Sequence, residues 1–162
     1  MAKLKIIKGA DNPILRAVSE PVKKFDGALK KFARDLKETM DSAKGLGIAA
    51  PQVGKNVRVF IVTLAHGEPG QVSLAMVNPE IVWHSDTVEL GEEGCLSLPG
   101  QYAKVERYKR LRVEFFDVEG ARQVFELEGL DARVVQHETD HLDGILFLDR
   151  IGKDQKEEDL LM

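Results

Sequence analysis

Gln136-His137-Glu138-Thr139-Asp140-His141-Leu142-Asp143-Gly144 is the stretch around which the rest of the chain is read. Four residues carry a helical backbone about 400° around its axis, so His137 and His141 project from one face. Their imidazoles can grip one cation there, while Glu138 leans over the rim of the same face. This is the His-Glu-x-x-His arrangement, in which a metal activates water and the carboxylate moves its proton. A plainer reading stands beside it: a solvated acidic helix end, since Glu138, Asp140 and Asp143 would sit well in water. The surrounding residues bear on the choice. Leu130, Val134, His137 and His141 share a narrow angular sector of a helix predicted over 131–143 and stopped by Gly144. Imidazoles on an apolar face are indoors, and a metal is the commonest way to satisfy two buried histidines at once.

Two histidines leave a metal short of protein ligands. After His141 the acidic candidates are Asp143, Asp149, Asp154, Glu157, Glu158 and Asp159, and residues 145–148 form a hydrophobic run, not a second ligand-bearing helix. The upstream segment Gly91-Glu92-Glu93-Gly94-Cys95-Leu96-Ser97-Leu98-Pro99 offers the chain's one cysteine. A lone cysteine is most often a small core residue. Flanked by Gly94 and Ser97 in a segment read as turn-rich, Cys95 looks more like a presented thiolate. Cys95, His137 and His141 would supply one sulfur and two nitrogens, leaving the fourth corner of a tetrahedral site open to water.

Further upstream, Gly45-Leu46-Gly47-Ile48-Ala49-Ala50-Pro51-Gln52 is too glycine-rich for a regular element. No Lys-Ser or Lys-Thr follows, which argues against a P-loop. It is either a flexible connector or, given the small apolar run Ile48-Ala49-Ala50, backbone pressed against something.

The bulk numbers describe an ordinary globular chain. Its 162 residues are 43% hydrophobic and 31% charged, enough for one well-buried core. A net charge of -4 argues against broad or sequence-specific nucleic-acid binding, which needs a basic face. No apolar run approaches the ~20 residues that cross a bilayer, and the start lacks a signal peptide's apolar core. One cysteine excludes an internal disulfide. A cytoplasmic, membrane-free protein is expected.

Residues 1–25 read as a short opening strand and an irregular arm interrupted by Pro13 and Pro21. Leu29, Phe32, Ala33, Leu36, Met40 and Ala43 recur at helical spacing, which predicts an amphipathic helix over 27–43, with Asp26 as N-cap and Gly45 as stop. Strands are expected at 57–64, 74–78 and 81–90. Residues 111–117 and 123–128 should pair as a hairpin through Glu119-Gly120. His66 and His84 are read as surface or packing residues, and the polar tail from Gly152 as frayed. Together these elements predict an α+β fold: antiparallel β-sheets around a central metal-bearing α-helix, with an additional N-terminal amphipathic helix. One catalytic domain over 1–150 and a short polar tail over 151–162 are expected.

Residues 45–52, Glu93-Gly94-Cys95-Leu96-Ser97 and residues 136–141 resemble, in order and in spacing, the three signature motifs of peptide deformylases. The likeness runs from the N-terminal arm to about Asp149. The resemblance implies a metal-dependent hydrolase that removes the N-formyl group from the N-terminal formyl-methionine of newly made polypeptides, releasing formate. It implies Cys95, His137 and His141 as ligands of one divalent ion, Fe²⁺ in the native state, with Zn²⁺ or Ni²⁺ able to occupy the site. Glu138 would carry the proton from water to the departing amine. The Gln52 side chain and the Leu96 backbone N–H would steady the oxyanion. Gly45, Leu46 and Gly47 would line a groove in which an extended peptide pairs like an added strand. Ile48, Leu130 and Val134 are candidates for the methionine pocket, and could equally be plain core.

Some positions depart from the family pattern. Gly100-Gln101-Tyr102 stands where many bacterial members carry an arginine, although Arg107 falls where a second basic residue is common. Arg133 replaces a usual apolar pocket residue, which would make the pocket rim more polar. The tail is short and acidic where some members dock on the ribosome with a longer basic helix, so any ribosome contact would be transient. Two other readings remain at this stage. A zinc peptidase of another class would need a third ligand other than Cys95, and a structural metal site or binding module would need a fourth protein ligand.

Overall fold

In the computed structural model, which describes residues 3–151 and the strand Leu160–Leu161, two antiparallel sheets share the chain with three helices. In order these are α1 (Pro13–Arg16), α2 (Gly27–Ser42), β1 (Gly47–Ala49), β2 (Val59–Leu64), β3 (Val72–His84), β4 (Val88–Cys95), β5 (Leu98–Tyr108), β6 (Arg110–Phe116), β7 (Arg122–Glu128), α3 (Gly129–Leu142) and β8 (Leu160–Leu161). One sheet has the order β1-β2-β3-β6-β7 and the other β4-β5-β8, so the class is α+β. The frayed tail expected from Gly152 lies largely outside the described residues. No helix among the described residues is long and apolar enough to cross a membrane.

The six residues of β2, Val-Phe-Ile-Val-Thr-Leu, are all buried because helices cover both faces of their strand. Side chains alternate across a strand. Val59 and Ile61 therefore pack with Leu29, Ala33, Leu36 and Met40 of α2, while Phe60, Val62 and Leu64 pack with Ala132, Val135 and Leu142 of α3. Each fully buried side chain of this size contributes about 1.5–3 kcal/mol. The sheet is thereby held as a rigid floor between α2 and α3.

α2 starts as expected, with Asp26 Oδ1 accepting from Leu29 N at 3.0 Å. Its end differs. Lys44, at φ 59°, takes the left-handed position expected of Gly45, and Gly45 N closes the cap on Met40 O at 3.0 Å. Gly45 is reserved for a tighter fit, described below.

Other expectations need correction. Residues 3–12 form no strand among the described elements; they are an irregular arm tied down by Ile7 N to Gln52 O at 2.7 Å and Gly9 N to Ser97 O at 3.0 Å. Gly47–Ala49, too glycine-rich to read as regular, is a strand paired with β2. Residues 74–78 and 81–90 are not two strands. β3 runs through Asn78-Pro79, with Asn78 at φ 49° and a register shift between Val77 and Glu80 that accommodates the proline. The segment read as turn-rich is a hairpin: Cys95 pairs with Leu98, leaving only Leu96-Ser97 in the turn. β5 escapes a simple pattern search because Arg107 occupies one of its inward positions, in line with Ala103 and Val105.

Candidate metal centre

Strand β4 and helix α3 bring the ligand candidates together. Cys95 ends β4 at the tight turn, and His137 and His141 lie one helical turn apart on α3, whose inner face packs on the sheet. Cys95 Sγ stands 3.3 Å from His141 Nε2. One ligand atom from each of Cys95, His137 and His141 lies within 4.8 Å of the others. Tetrahedral ligands at 2.0–2.3 Å from an ion stand roughly 3.3–3.6 Å apart. The donor set therefore fits a single divalent cation. Of the downstream carboxylates read as competing ligands, Asp143 pairs with Arg58 at 3.0 Å and Asp149 with Arg16 at 2.5 Å, while Asp154, Glu157, Glu158 and Asp159 lie outside the described residues. His84 stacks on Tyr108, ring centroids 3.6 Å apart.

The electrostatics favour neutral imidazole at one ligand and positive charge at the other. Burial, together with repulsion from His137 and Arg107, holds His141 well below the usual histidine range. Burial also works against a charged His137, but hydrogen bonds to Cys95 and Glu93 and the nearby Glu138 raise it to about 10. Glu93 Oε1 is 2.8 Å from His137 Nδ1, which leaves Nε2 as the ring nitrogen available to an ion. Glu93 in turn is gripped at both oxygens by Arg107 Nε and NH2, at 2.8 and 2.9 Å, and by Arg133 NH1 at 2.7 Å. Burial opposes its charge, yet Arg107 and His137 hold its carboxyl at about 2. Arg107 NH1 also reaches Asp140 Oδ2 at 2.6 Å. Glu93, Arg107 and Asp140 are each nearly buried, so losing one partner would leave an uncompensated charge.

Beside the two rings, Glu138 is 1% exposed, and burial raises its carboxyl to about 7. Its Oε2 has no hydrogen-bond partner among the described residues, an orphan acceptor at the edge of the cavity. That cavity, of about 500 Å³, is lined by Gly45, Leu46, Gly47, Gln52, Cys95, Leu96, Leu130, Arg133, Val134, His137 and Glu138, among others. Gln52 is held at both ends of its amide: Oε1 accepts from Ala49 N at 2.9 Å and Nε2 donates to Ser97 Oγ at 3.2 Å, with Cys95 Sγ 3.6 Å away. Leu130 is half exposed at the mouth and Val134 almost buried in the wall.

Ile48 stands apart from its proposed partners. β1 alternates, so Gly47 borders the cavity while Ile48 points to the opposite face and is fully buried against α2. Of the two roles open to it from sequence, the core is where the structure puts it. Arg133 does line the cavity, but its guanidinium is taken up by Glu93, by Val105 O at 2.8 Å and by Glu89 O at 2.7 Å.

The profile of the family described as polypeptide deformylase matches residues 4–157. The peptide deformylase of Brucella suis biovar 1 is 49% identical over 143 residues, covering 88% of this chain and 81% of the relative. The chain belongs to the polypeptide deformylase family. Among solved structures, the peptide deformylase of Thermotoga maritima superposes with a TM-score of 0.87 at 42% identity, over 94% of this chain and 99% of that one. The class I type b enzyme of Acinetobacter baumannii with Met-Ala-Ser bound gives 0.86 at 38% identity, over 93% and 99%. The chain is accordingly a hydrolase of the family whose metal-dependent reaction removes the N-formyl group from nascent peptides. The zinc peptidase and the purely structural site fall away with that membership.

Sequence reasoning missed several residues around this deformylase centre. Glu93 carries no role in the motif as read from sequence, and nothing in the sequence links Ser97, Arg107 and Asp140 to the network they join in the structure. An arginine at an inward position of a strand, in line with apolar neighbours, was the available signal for Arg107. Gly47 has a steric reason: a Cβ there would stand 2.9 Å from Glu138 Oε2. Gly45 has another, its Cβ falling 2.9 Å from Leu96 Cδ1. Gly47→Ala is expected to lower kcat by about 10²-fold, since a displacement near 1 Å at a reacting group costs that much. The check is deformylation kinetics with metal content measured alongside; unchanged kcat would mean Glu138 is not crowded at this point.

Proposed function

We propose that residues 1–150 form one catalytic domain in which Cys95, His137 and His141 hold one divalent ion, Fe²⁺ natively with Zn²⁺ or Ni²⁺ able to replace it, and Glu138 carries the proton. The observation behind this reading is the meeting of three candidate ligand atoms within 4.8 Å beside a buried Glu138 Oε2 that has no partner among the described residues, on an open cavity. A bound ion supplies Lewis acidity, making water a nucleophile near neutral pH. Glu138 accepts the water's proton at its free oxygen as the resulting hydroxide bonds to the formyl carbon, and returns it to the amide nitrogen as the formyl carbon–nitrogen bond breaks, giving formate and the free amine. Burial raises this carboxyl, the direction that lets it both take and return a proton. Gln52 Nε2 and the Leu96 backbone N–H donate to the formyl oxygen as it gains negative charge.

The peptide lies along Gly45, Leu46 and Gly47, adding like a strand, and its methionine side chain enters between Leu130 and Val134, with Arg133 at the wall. The Acinetobacter relative holds Met-Ala-Ser, a peptide beginning with the residue that deformylation would expose, which supports an N-terminal methionine in this groove. Substrates are nascent formyl-methionyl chains, the compartment is the cytoplasm, and ribosome contact is transient. No membrane or sequence-specific nucleic-acid partner belongs to this reading.

The direct test is formate release from formyl-Met peptides beside an unformylated control, with elemental analysis of protein purified without oxygen. Stoichiometric iron and formate release are expected; a metal-free, inactive protein that Fe²⁺, Zn²⁺ and Ni²⁺ all fail to activate would end the proposal. Gln52→Leu should retain the metal and lose about 10²-fold in kcat, the ~3 kcal/mol typical of one oxyanion donor. Turnover within a few-fold of wild type would remove Gln52 from that role.

A further inference from the structure

The 3-10 turn Phe147–Arg150, just after α3, reaches the metal centre twice without lining its cavity. The Phe147 ring, buried at 1% exposure, stacks on His137 with centroids 6.0 Å apart and planes 24° from parallel. Arg150 donates from Nε to Asp140 Oδ2 at 3.0 Å and from NH2 to Oδ1 at 2.8 Å. Asp140 passes the connection to Arg107, Arg107 to Glu93, and Glu93 to His137 Nδ1. One short turn therefore touches a single imidazole on its face and, through a row of alternating charges, on its edge. The turn is itself tethered: Asp149 Oδ2 accepts from Leu146 N at 2.9 Å and Asp149 pairs with Arg16 of α1.

A hydrogen bond at Nδ1 pins one point of a ring but leaves the ring free to tilt about that contact. Reactive constellations need their groups held within about 0.5 Å and 10–20°. A flat aromatic face against the imidazole removes the tilt, and a fixed Glu93 removes the slide. We propose that the Phe147–Arg150 turn positions His137, Phe147 setting the plane of the ring and Arg150 keeping the charge row in register, so that Nε2 converges with Cys95 Sγ and His141 Nε2. This rests on the ligand assignment proposed above. Phe147 and Arg150 are positioning residues; neither touches the substrate groove.

The experiment uses the full chain loaded with Zn²⁺, following its release to excess chelator, with the visible spectrum of the Co²⁺ form and the melting temperature of the metal-free protein. Phe147→Leu should release Zn²⁺ about 10-fold faster, within the 10–100-fold typical of an outer partner of a ligand. Arg150→Gln, at a half-exposed position that the core does not need, should speed release several-fold and shift the Co²⁺ bands. Arg150→Lys should recover part of the loss. Leu36→Val, in the core under α2, serves as a control that lowers stability without touching the turn. It should release Zn²⁺ at the wild-type rate. Wild-type release and spectra in both Phe147→Leu and Arg150→Gln would overturn the proposal, as would equally fast release from Leu36→Val at the same loss of melting temperature. His137→Ala separates the two claims. If it keeps Zn²⁺ the ligand assignment itself is wrong; if it loses Zn²⁺ while Phe147→Leu and Arg150→Gln behave as wild type, only the positioning role fails.

Discussion

Glu138→Gln is expected to keep its full metal content and its fold while losing about 10²–10⁴ in kcat, the range for removing a general acid–base. The glutamine occupies the same volume, so the close approach of Gly47 to this side chain is undisturbed. What disappears is an oxygen able to take and return a proton. Among the described residues Glu138 Oε2 is buried and unpartnered with no arginine in hydrogen-bonding contact to lock it as a carboxylate, and the carboxyl is raised to about 7 chiefly by burial. Glu93, only a few residues from Cys95, is the contrast: two arginines and His137 hold it charged, which suits a supporting role and not proton transfer. Steady-state kinetics on a formyl-Met peptide, with metal analysis on the same sample, decides the matter. Because the peptide groove is untouched, KM should move little. Full activity in this variant would remove Glu138 from the reaction.

Cys95→Ala is expected to lose metal and activity together, by more than the ~10²-fold typical of an outer partner, because on the proposed assignment a ligand itself is removed. The position is a mild one for the fold. Cys95 sits at the end of a hairpin, partly exposed, and the small void left by its sulfur should cost about 1 kcal/mol. A near-normal melting temperature in the metal-free state, with no bound ion after dialysis against Fe²⁺ or Zn²⁺, is the expected pair of results. A variant that binds metal stoichiometrically would show that two imidazoles suffice and that the sulfur is incidental.

The elements that were legible along the chain are those whose side chains meet a single partner surface. The stripe from Leu29 to Met40 reads as a helix because one face of α2 packs on one face of the sheet. Residues 111–117 and 123–128 read as a hairpin because each alternates between core and solvent. Recognition of the site was local too, since His137, Glu138 and His141 lie within one and a half turns of helix, where spacing alone sets direction.

What stayed hidden depended on residues far apart in sequence. The glycine-rich segment gave no sign of being β1, because its regularity comes from pairing with β2 and not from its own preferences. Asn78-Pro79 reads as a strand break, since a proline inside a strand is tolerated only where neighbouring strands accept a bulge, as β3 and β6 do here. Arg107 matches a position where a basic residue is common in the family, but its burial between Glu93 and Asp140 depends on residues distant in sequence.

By itself the sequence determined the chemistry on offer: which atoms could bind an ion, that two of them share a helix face, and that one sulfur is available. Tertiary structure alone decided that Cys95, 42 residues before His137, arrives within reach of both rings, that Glu138 is buried, and that Ile48 turns away from the cavity. The physical reason is that spacing governs contacts within one element. Burial, and distances between elements, are set by how sheet and helices pack.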